Sequence, residues 1–417
     1  NITIMTSRER IIKAINHQET DKIPIDFGGH RSSGIMAIAY ARLKEELGIT
    51  SGNIYVYDMI QQLAIIEPQV LDMFESDTIE MGRGFLTDDS NWKDWELPDG
   101  TPCKIPYYIN LEKEGKDWIL VNDEGKELGR QKKGCLYFEQ THYPLEDTDF
   151  ENADFNDIES ILGECMWAAV PHPGAHLPDD DEGYKSLARG AKNLRESTDK
   201  AIIGLFGGAM FEMPQYLLGS ENFFMYLAMY PDAVHCFQEK LCNLYERNME
   251  KWLQAVGPYI DIILFGGDDI GTNQGPMISP EMYREFIKPY QKRLWGKAKE
   301  LADVKVQLHS CGGVEPLLDD MIDAGLDMIN PVQITAQGMD PKNLTVKYNN
   351  RICFWGGGCD TQHVLDNATP DEIEDHVIGL MNQWNKINGY IFQQVHNIMA
   401  NVPPKNIVRM FETVNKL

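Results

Sequence analysis

The chain is poor in basic residues. Its 417 residues include 38 lysines and arginines against 64 aspartates and glutamates, which gives a formal net charge of −26. Nucleic acids and anionic membrane surfaces are bound by basic surfaces, because their phosphate groups must be neutralised. The composition therefore argues against nucleic-acid and membrane partners, and it remains compatible with the docking of another protein.

Long apolar runs and paired cysteines are also missing. No stretch of about 18 apolar residues occurs, and the first residues lack the apolar segment of a signal peptide. The eight cysteines are scattered, with neither CxxC pairs nor the spacing of a small disulfide framework. We therefore expect a cytoplasmic protein with reduced thiols.

Signatures for nucleotide binding are absent as well. No GxGxxG follows the first predicted strand, as a dinucleotide-binding fold would require. The glycine run at 356–358 resembles a phosphate-binding nest, but it lacks the Lys and Ser/Thr of a P-loop. Phosphate binding is therefore disfavoured.

What the chain does contain is a repeated alternation of short apolar runs with amphipathic helical stretches. One such helix is predicted over Pro280–Leu301, with Ser279 as its N-cap. Strands that alternate with helices form parallel β/α units, and eight units predict a (β/α)8 TIM barrel rather than an open doubly wound sheet. The eight predicted strands are Lys22–Phe27, Asp77–Met81, Ala201–Phe206, Asp261–Phe265, Val304–Leu308, Met328–Val332, Arg351–Trp355 and Tyr390–Gln394.

We predict one barrel domain over residues 1–417. Within it, two regions interrupt the alternation of strands and helices. Residues 84–144 combine alternating patterns with turn signals, which predicts an inserted antiparallel β hairpin or meander. Its aromatic residues would form its own core or a wall of the active-site cavity. Residues 144–195 are predicted to be surface loop with short helices. Before the barrel, Thr6–Glu9 fits a capping box that opens an N-terminal helical extension.

The run Gln307–Gly313 carries the strongest chemical signal. In a strand, residues i and i+2 point to the same side, so the imidazole of His309 and the thiol of Cys311 can reach one metal ion. Zinc prefers such nitrogen and sulfur ligands. The alternative for an isolated HxC is a buried cysteine beside a hydrogen-bonded histidine.

Other polar residues follow the predicted strands and would meet at the same rim of the barrel, where such enzymes carry out their chemistry. Adjacent carboxylates at a strand end could cap the next element, orient a metal ligand or protonate a leaving group. We assign Asp268 and Asp269 to this catalytic class. The candidate substrate-binding residues are His30, Arg31, Glu212 and Gln333.

Short segments along nearly the whole chain resemble the uroporphyrinogen decarboxylase family in its broad sense, including its corrinoid-dependent methyltransferase branch. The family fold is the same (β/α)8 barrel. The matching segments are Arg8–Arg10, Asp21–Pro24, Phe211–Glu212, Asp268–Gly271, Ser279–Glu281, His309–Gly312, Asn330–Gln333, Gly357–Gln362 and His396–Ile398.

The resemblance also distinguishes between the reactions of the family. True decarboxylases carry an arginine-rich segment of the type RQAGR, which holds the acid groups of the tetrapyrrole. The equivalent stretch here, residues 27–33, has the single arginine Arg31. The His-x-Cys branch instead transfers methyl groups to or from a cobalamin on a separate corrinoid protein and uses zinc. No cobalamin-carrying signature of the type Asp-x-His-x-x-Gly occurs in this chain.

The resemblance implies a zinc-dependent methyltransferase. A catalytic zinc takes about three protein ligands, and we favour Cys359 as the third beside His309 and Cys311. The relatives carry a cysteine after the last strand, where this chain has His396. His396 is then the alternative third ligand, or a catalytic acid or base.

The favoured reaction is O-demethylation of a methoxylated aromatic, with the methyl group passing to cobalt. The alternatives are a methylcobalamin:thiol methyltransferase of the coenzyme M type, a decarboxylase, and a non-enzymatic corrinoid- or tetrapyrrole-binding protein. We also expect that the protein can form a homodimer.

Overall fold

Parallel strands form the centre of the molecule in the computed structural model, which describes residues 4–417. Seven of them make one sheet, and each strand pairs with its neighbours in chain order. We label them β1 to β7: Thr78–Glu80, Ala201–Leu205, Ile262–Phe265, Lys305–His309, Met328–Asn330, Cys353–Trp355 and Tyr390–Ile391.

The remaining predicted strand, Lys22–Phe27, lies in the gap between β7 and β1. Ile25 forms a parallel bridge with Phe392, directly after β7. On its other side, the carbonyl of Ile25 accepts the N–H of Asp77 at 2.7 Å, and the N–H of Ile25 donates to Asp77 Oδ2 at 2.9 Å. The sheet therefore curls and closes, and the (β/α)8 prediction is confirmed.

Helices surround this sheet. Their amphipathic patterns bury one face against the strands, so the core lies as a layer between helices and sheet. The α-helices are Ser7–Ile15, Ala37–Glu46, Pro68–Met73, Ile158–Leu162, Met166–Ala169, Asp181–Ser197, Glu212–Leu218, Ser220–Met229, Pro231–Val256, Pro280–Phe286, Lys288–Leu301, Leu318–Asp323, Pro341–Tyr348, Pro370–Trp384 and Pro404–Asn415.

A second apolar cluster fills the inside of the barrel. It combines side chains of the strands, such as Ile203 and Trp355, with Ile11 and Ile15 of the N-terminal helix. That helix begins with the predicted capping box, in which Thr6 and Glu9 exchange hydrogen bonds. Because it packs against the amino-terminal end of the strands, it closes the barrel at the end opposite the rim.

One predicted helix is in fact two. Ser279 caps the helix as predicted by accepting the N–H of Met282, but the helix ends at Phe286 and a second one begins at Lys288. Pro289 has no N–H, and its ring would clash with the carbonyl four residues earlier, so a continuous helix is excluded here.

Antiparallel strands occupy the region predicted as an insert. A hairpin pairs Trp92–Glu96 with Pro102–Pro106. A four-stranded sheet follows, made of Leu111–Glu114, Asp117–Val121, Glu127–Gln131 and Glu139–Gln140. Two further two-stranded pairs are Val56–Asp58 with Leu63–Ala64 and Gly271–Thr272 with Gly275–Pro276. Among residues 4–417, no helix is long and apolar enough to cross a membrane.

Candidate metal centre and cavity

Three side chains meet at the carboxyl end of the barrel. His309 is the last residue of β4, and its Nε2 lies 3.5 Å from the Sγ of Cys311 in the loop that follows. His396 approaches from the loop after β7. One ligand atom from each of His309, Cys311 and His396 lies within 4.8 Å of the others, so the group could hold one metal ion.

The His309 ring is oriented by its neighbour in the sheet. His309 pairs in register with Asn330, the last residue of β5, and His309 Nδ1 donates to Asn330 Oδ1 at 2.7 Å. Asn330 is itself held, because its Nδ2 donates to Gln393 at 2.6 Å and its Oδ1 accepts from Ser32 at 2.5 Å. A proton on Nδ1 leaves the lone pair of Nε2 free for a metal, an arrangement typical of histidine ligands.

Cys311 sits in a loop whose backbone is held by two side chains. Its N–H donates to Asp269 Oδ1 at 2.8 Å, and the next N–H, of Gly312, donates to Gln333 Oε1 at 2.9 Å. Burial, together with the charge of Asp269, raises the pKa of the thiol well above its ordinary value. Without a cation, the thiol is therefore protonated at neutral pH.

His396 has an unusual backbone. Its φ of +68° lies in the left-handed region, which few residues other than glycine adopt. Its Nδ1 accepts the N–H of Asn397 at 2.8 Å, and burial and nearby His309 lower its pKa to about 3. Ligation through either ring nitrogen breaks that hydrogen bond, since Nδ1 then carries the proton or uses its lone pair for the metal.

Cys359 does not belong to this group. Its thiol is fully buried in the core, and its Sγ faces the carbonyl of Asp360 at 4.0 Å. The side chain belongs to the apolar layer between the helices and the sheet. The structure thus brings His396, and not the favoured Cys359, to His309 and Cys311.

The two adjacent carboxylates have different surroundings. Asp268 is buried and accepts the N–H groups of Met210, Phe211 and Glu212 at 2.8–3.2 Å, as well as Gln291 Nε2 at 3.0 Å. It thereby caps the helix that begins at Glu212, and burial raises its pKa to about 6. Asp269 instead turns toward the metal group, with Oδ1 at 3.6 Å from His309 Nε2.

Two candidate substrate-binding residues also differ in placement. Glu212 lines the cavity above the metal group, where its carboxyl accepts the Tyr216 hydroxyl at 3.1 Å. Burial and the charge of Asp269 raise its pKa. Gln333 does not line the cavity; its amide bridges Gly312 and Asn273, to which it donates at 2.6 Å. Its contacts support the Cys311 loop.

His30 and Arg31 lie side by side with different surroundings. His30 is buried, with Nε2 at 3.2 Å from Asp26 Oδ2, and its Nδ1 accepts the N–H of Ser32 at 3.2 Å. Both residues line the cavity. Arg31 lies with Nε at 3.2 Å from Asp58 Oδ2 and keeps part of its side chain exposed to the cavity.

The cavity has a volume of about 690 Å³, in the range of small-molecule sites. His309, His396 and Asp269 lie on its barrel side, and an aromatic wall faces them. In that wall Trp167 and Tyr216 stack with ring centroids 5.7 Å apart. The residues at 166–176 that complete the wall belong to the segment that we predicted as surface loop.

Sequence reasoning therefore missed several cavity residues. They are Trp167, His172, His176 and Tyr216, together with Asn330 behind the metal group. The pair His172 and His176, four residues apart around Pro-Gly-Ala, was a possible signal, because titratable residues in an irregular segment often mark a site. Nothing in the sequence shows that this segment folds over the barrel.

The family model and the curated relatives that match this chain point to the same family. The sequence model of the uroporphyrinogen decarboxylase (URO-D) family matches residues 174–417, more than half of the chain. The uroporphyrinogen decarboxylase of Geotalea daltonii is 26% identical over 235 residues, which are 54% of this chain and 62% of that protein. The Bacillus cytotoxicus decarboxylase is 26% identical over 225 residues, 52% of this chain and 58% of that protein.

The chain thus spans about three fifths of the length of these relatives. Among solved structures, a methyltransferase from Methanosarcina mazei superposes with a TM-score of 0.58 at 13% identity, covering 99% of both chains. At that identity the likeness shows a shared fold.

Proposed function

The chain belongs to the uroporphyrinogen decarboxylase family, and from that premise we propose that it is a zinc-dependent methyltransferase. In this proposal a methyl group passes from a small methylated substrate to the cobalt of a separate corrinoid protein. The observation that carries it is the group of His309, Cys311 and His396 beside a cavity of about 690 Å³. The fold shared with a methyltransferase from Methanosarcina mazei agrees with it.

The donor set suits zinc. Two imidazoles and a thiolate are the borderline-soft ligands that zinc prefers, and three protein ligands leave a fourth position for the substrate. Zinc, when bound, would act as a Lewis acid on the heteroatom that carries the methyl group. We therefore propose His396 as the third ligand in place of Cys359.

The residues around this group have defined tasks in the proposal. Asn330 holds the His309 ring so that Nε2 faces the group, and Asp269 holds the Cys311 loop through the N–H of that residue. Asp268 positions the helix that carries Glu212, and it has no contact with the substrate cavity. The aromatic wall excludes water and matches a flat methoxylated aromatic substrate.

Two other reactions remain candidates. The relatives are named as decarboxylases, but the cavity offers one arginine to a tetrapyrrole that carries many acid groups. Transfer from methylcobalamin to a thiol would use the same ligand group, with the thiol in place of the ether. The aromatic wall favours the demethylation of an aromatic ether.

A transfer assay tests the proposal. Zinc-loaded protein is incubated with a methoxylated aromatic and a corrinoid protein reduced to Co(I), and the visible spectrum is followed. We expect the Co(I) bands to disappear as methyl-cobalt forms. A result of no methyl-cobalt with a panel of such ethers and corrinoid proteins, together with release of CO2 from uroporphyrinogen, would favour the decarboxylase.

The third ligand can be tested separately. We expect His396→Ala to lower zinc affinity by about 10-fold or more, because one of three ligands is lost. Cys359→Ser should keep its zinc, since that thiol lies in the core. Competition with a chromogenic chelator measures both affinities. Loss of zinc from Cys359→Ser with retention in His396→Ala would return the assignment to Cys359.

A further inference from the structure

The helix Ser220–Met229 is apolar on the side that faces solvent. Met225 and Met229 are 45% and 57% exposed, and residues four positions apart lie on one face of a helix. Ala228 beside them is exposed as well. A surface helix normally turns polar residues toward solvent, so an exposed apolar face of this kind indicates a surface that another molecule covers.

An acidic segment lies beside this helix. The N–H of Leu145 donates to the carbonyl of Leu217 at 2.8 Å, just before the helix begins. Asn222 Nδ2 then donates to the carbonyl of Glu146 at 2.9 Å, and the ring of Phe150 stacks on Tyr226 with centroids 4.3 Å apart. Residues 145–151 are therefore held along the helix, and we call the helix and this segment together the acidic methionine patch.

The patch carries negative charge without basic partners. Residues 134–184 and 201–239 contain neither lysine nor arginine. Arg247 and Lys251 reach these stretches from the helix Pro231–Val256, but they pair with Glu159 and Asp179. Several exposed carboxylates in or next to the patch form no ion pair within residues 4–417: Glu146, Asp147, Asp149, Glu151, Glu221 and Asp232.

Charge decides which molecule can cover the patch. A two-fold contact with a second copy would place the same carboxylates against each other, and like charges across an interface are costly. An anionic membrane would be repelled for the same reason. Flexible methionine side chains are common at surfaces that bind amphipathic helices. A helix whose apolar stripe is bordered by lysine and arginine complements both the methionines and the carboxylates.

The patch is continuous with elements that line the cavity. The helix Glu212–Leu218 carries Glu212 and Tyr216 of the cavity. Gly219 joins this helix directly to Ser220–Met229. A protein held on the patch is therefore placed next to the cavity wall, where a partner in the reaction would be needed.

We propose that the acidic methionine patch docks a basic amphipathic helix of the corrinoid protein. Apolar side chains of that helix cover Met225 and Met229, and its lysines and arginines pair with the surrounding carboxylates. The chemistry of the surface is independent of the reaction, and only the identity of the partner rests on the proposed function. Because the attraction is between exposed charges, salt should weaken the association.

A pair of synthetic peptides tests the surface without methyl transfer. One labelled helical peptide carries leucines on one face bordered by lysines, and its matched peptide carries glutamates in place of the lysines. Fluorescence anisotropy at low salt should show the lysine peptide binding at least about 10-fold more tightly. Met225→Ser combined with Met229→Ser should weaken its binding by about 10-fold, because the apolar contacts are lost.

Control variants separate the patch from the overall charge of the chain. Met73 is 53% exposed on another helix, so Met73→Ser should bind the lysine peptide as the wild type does. Glu146→Lys combined with Glu221→Lys should weaken binding by about 10-fold. The same charge change at the exposed Glu300 and Glu412, outside the patch, should have little effect. Circular dichroism verifies that each variant is folded.

Steady-state methyl transfer tests the identity of the partner. Neither Glu146 nor Glu221 lines the cavity. Their double reversal should therefore raise the KM for the corrinoid protein by about 10-fold and leave kcat and the KM for the methoxylated substrate unchanged. An unchanged KM for the corrinoid protein would overturn this partner.

The peptide results judge the surface by itself. Equal binding of the two peptides to the wild type would overturn it, whether or not methyl transfer occurs. Equal weakening by the reversals inside and outside the patch would also overturn it, because total charge alone would then explain the binding. Selective binding of the lysine peptide, with no methyl transfer from any ether, would keep the surface and remove both the proposed function and the corrinoid protein as its partner.

Discussion

Cys311→Ala should remove zinc and stop methyl transfer while the barrel stays folded. The thiol is one of three proposed ligands, and it lies 3.5 Å from His309 Nε2 with no other sulfur in the group. Losing the single thiolate should lower zinc affinity by more than about 100-fold, because the soft, charged ligand contributes most to a site that retains two neutral imidazoles. Elemental analysis after gel filtration measures the zinc.

A second buried cysteine provides the control. Cys242 lies in the helix Pro231–Val256, fully buried and outside the ligand group. Cys242→Ala removes a thiol of similar burial, so it should keep a full equivalent of zinc. If Cys311→Ala also kept a full equivalent and its activity, the zinc site would have to lie elsewhere.

Asp268→Ala should destabilise the protein more than any other change to an acidic residue at the rim. The buried carboxylate accepts three backbone N–H groups and the Gln291 amide, and alanine would leave all four donors unpaired. Leaving these buried donors without their charged acceptor should lower the free energy of unfolding by about 3–5 kcal/mol in total. The midpoint of urea unfolding, followed by circular dichroism, should fall accordingly.

The adjacent residue Asp269 provides the control for Asp268→Ala. Asp269 is partly exposed and holds a single backbone N–H, that of Cys311. Asp269→Ala should therefore cost only about 1 kcal/mol in the free energy of unfolding but lower zinc affinity by about 10- to 100-fold. Equal destabilisation by the two variants would contradict the separate tasks assigned to these residues.

Much of the architecture follows from local patterns. Short apolar runs separated by amphipathic stretches determine where the strands occur, because strand and helix periodicities bury different faces. Thr6 and Ser279 cap their helices as predicted, since a cap depends on residues three positions apart. The break at Ile287 was missed because the apolar periodicity continues through a proline that cannot continue the helix.

Some residues of the candidate site could likewise be predicted from the sequence, and others could not. His309 and Cys311 could be paired from sequence alone, because residues two positions apart at a strand end can point to the same side, although the strand itself ends at His309 and Cys311 lies in the loop that follows. Whether His396 or Cys359 joins them depends on how two loops without periodicity direct their side chains, and only the tertiary structure decides this.

The difference between Asp268 and Asp269 was likewise not readable from the sequence. Adjacent residues point to different sides, and the direction of each is decided by the helix that needs a cap and by the loop that carries Cys311.

The sequence by itself indicated the strands, the barrel and the pair His309 and Cys311, because these depend on spacing between residues close together in the chain. Only the tertiary structure decided the third member of the metal group and the cavity wall formed by residues 166–176. These depend on contacts between loops far apart in the chain, where no periodicity of apolar residues determines the direction of a side chain.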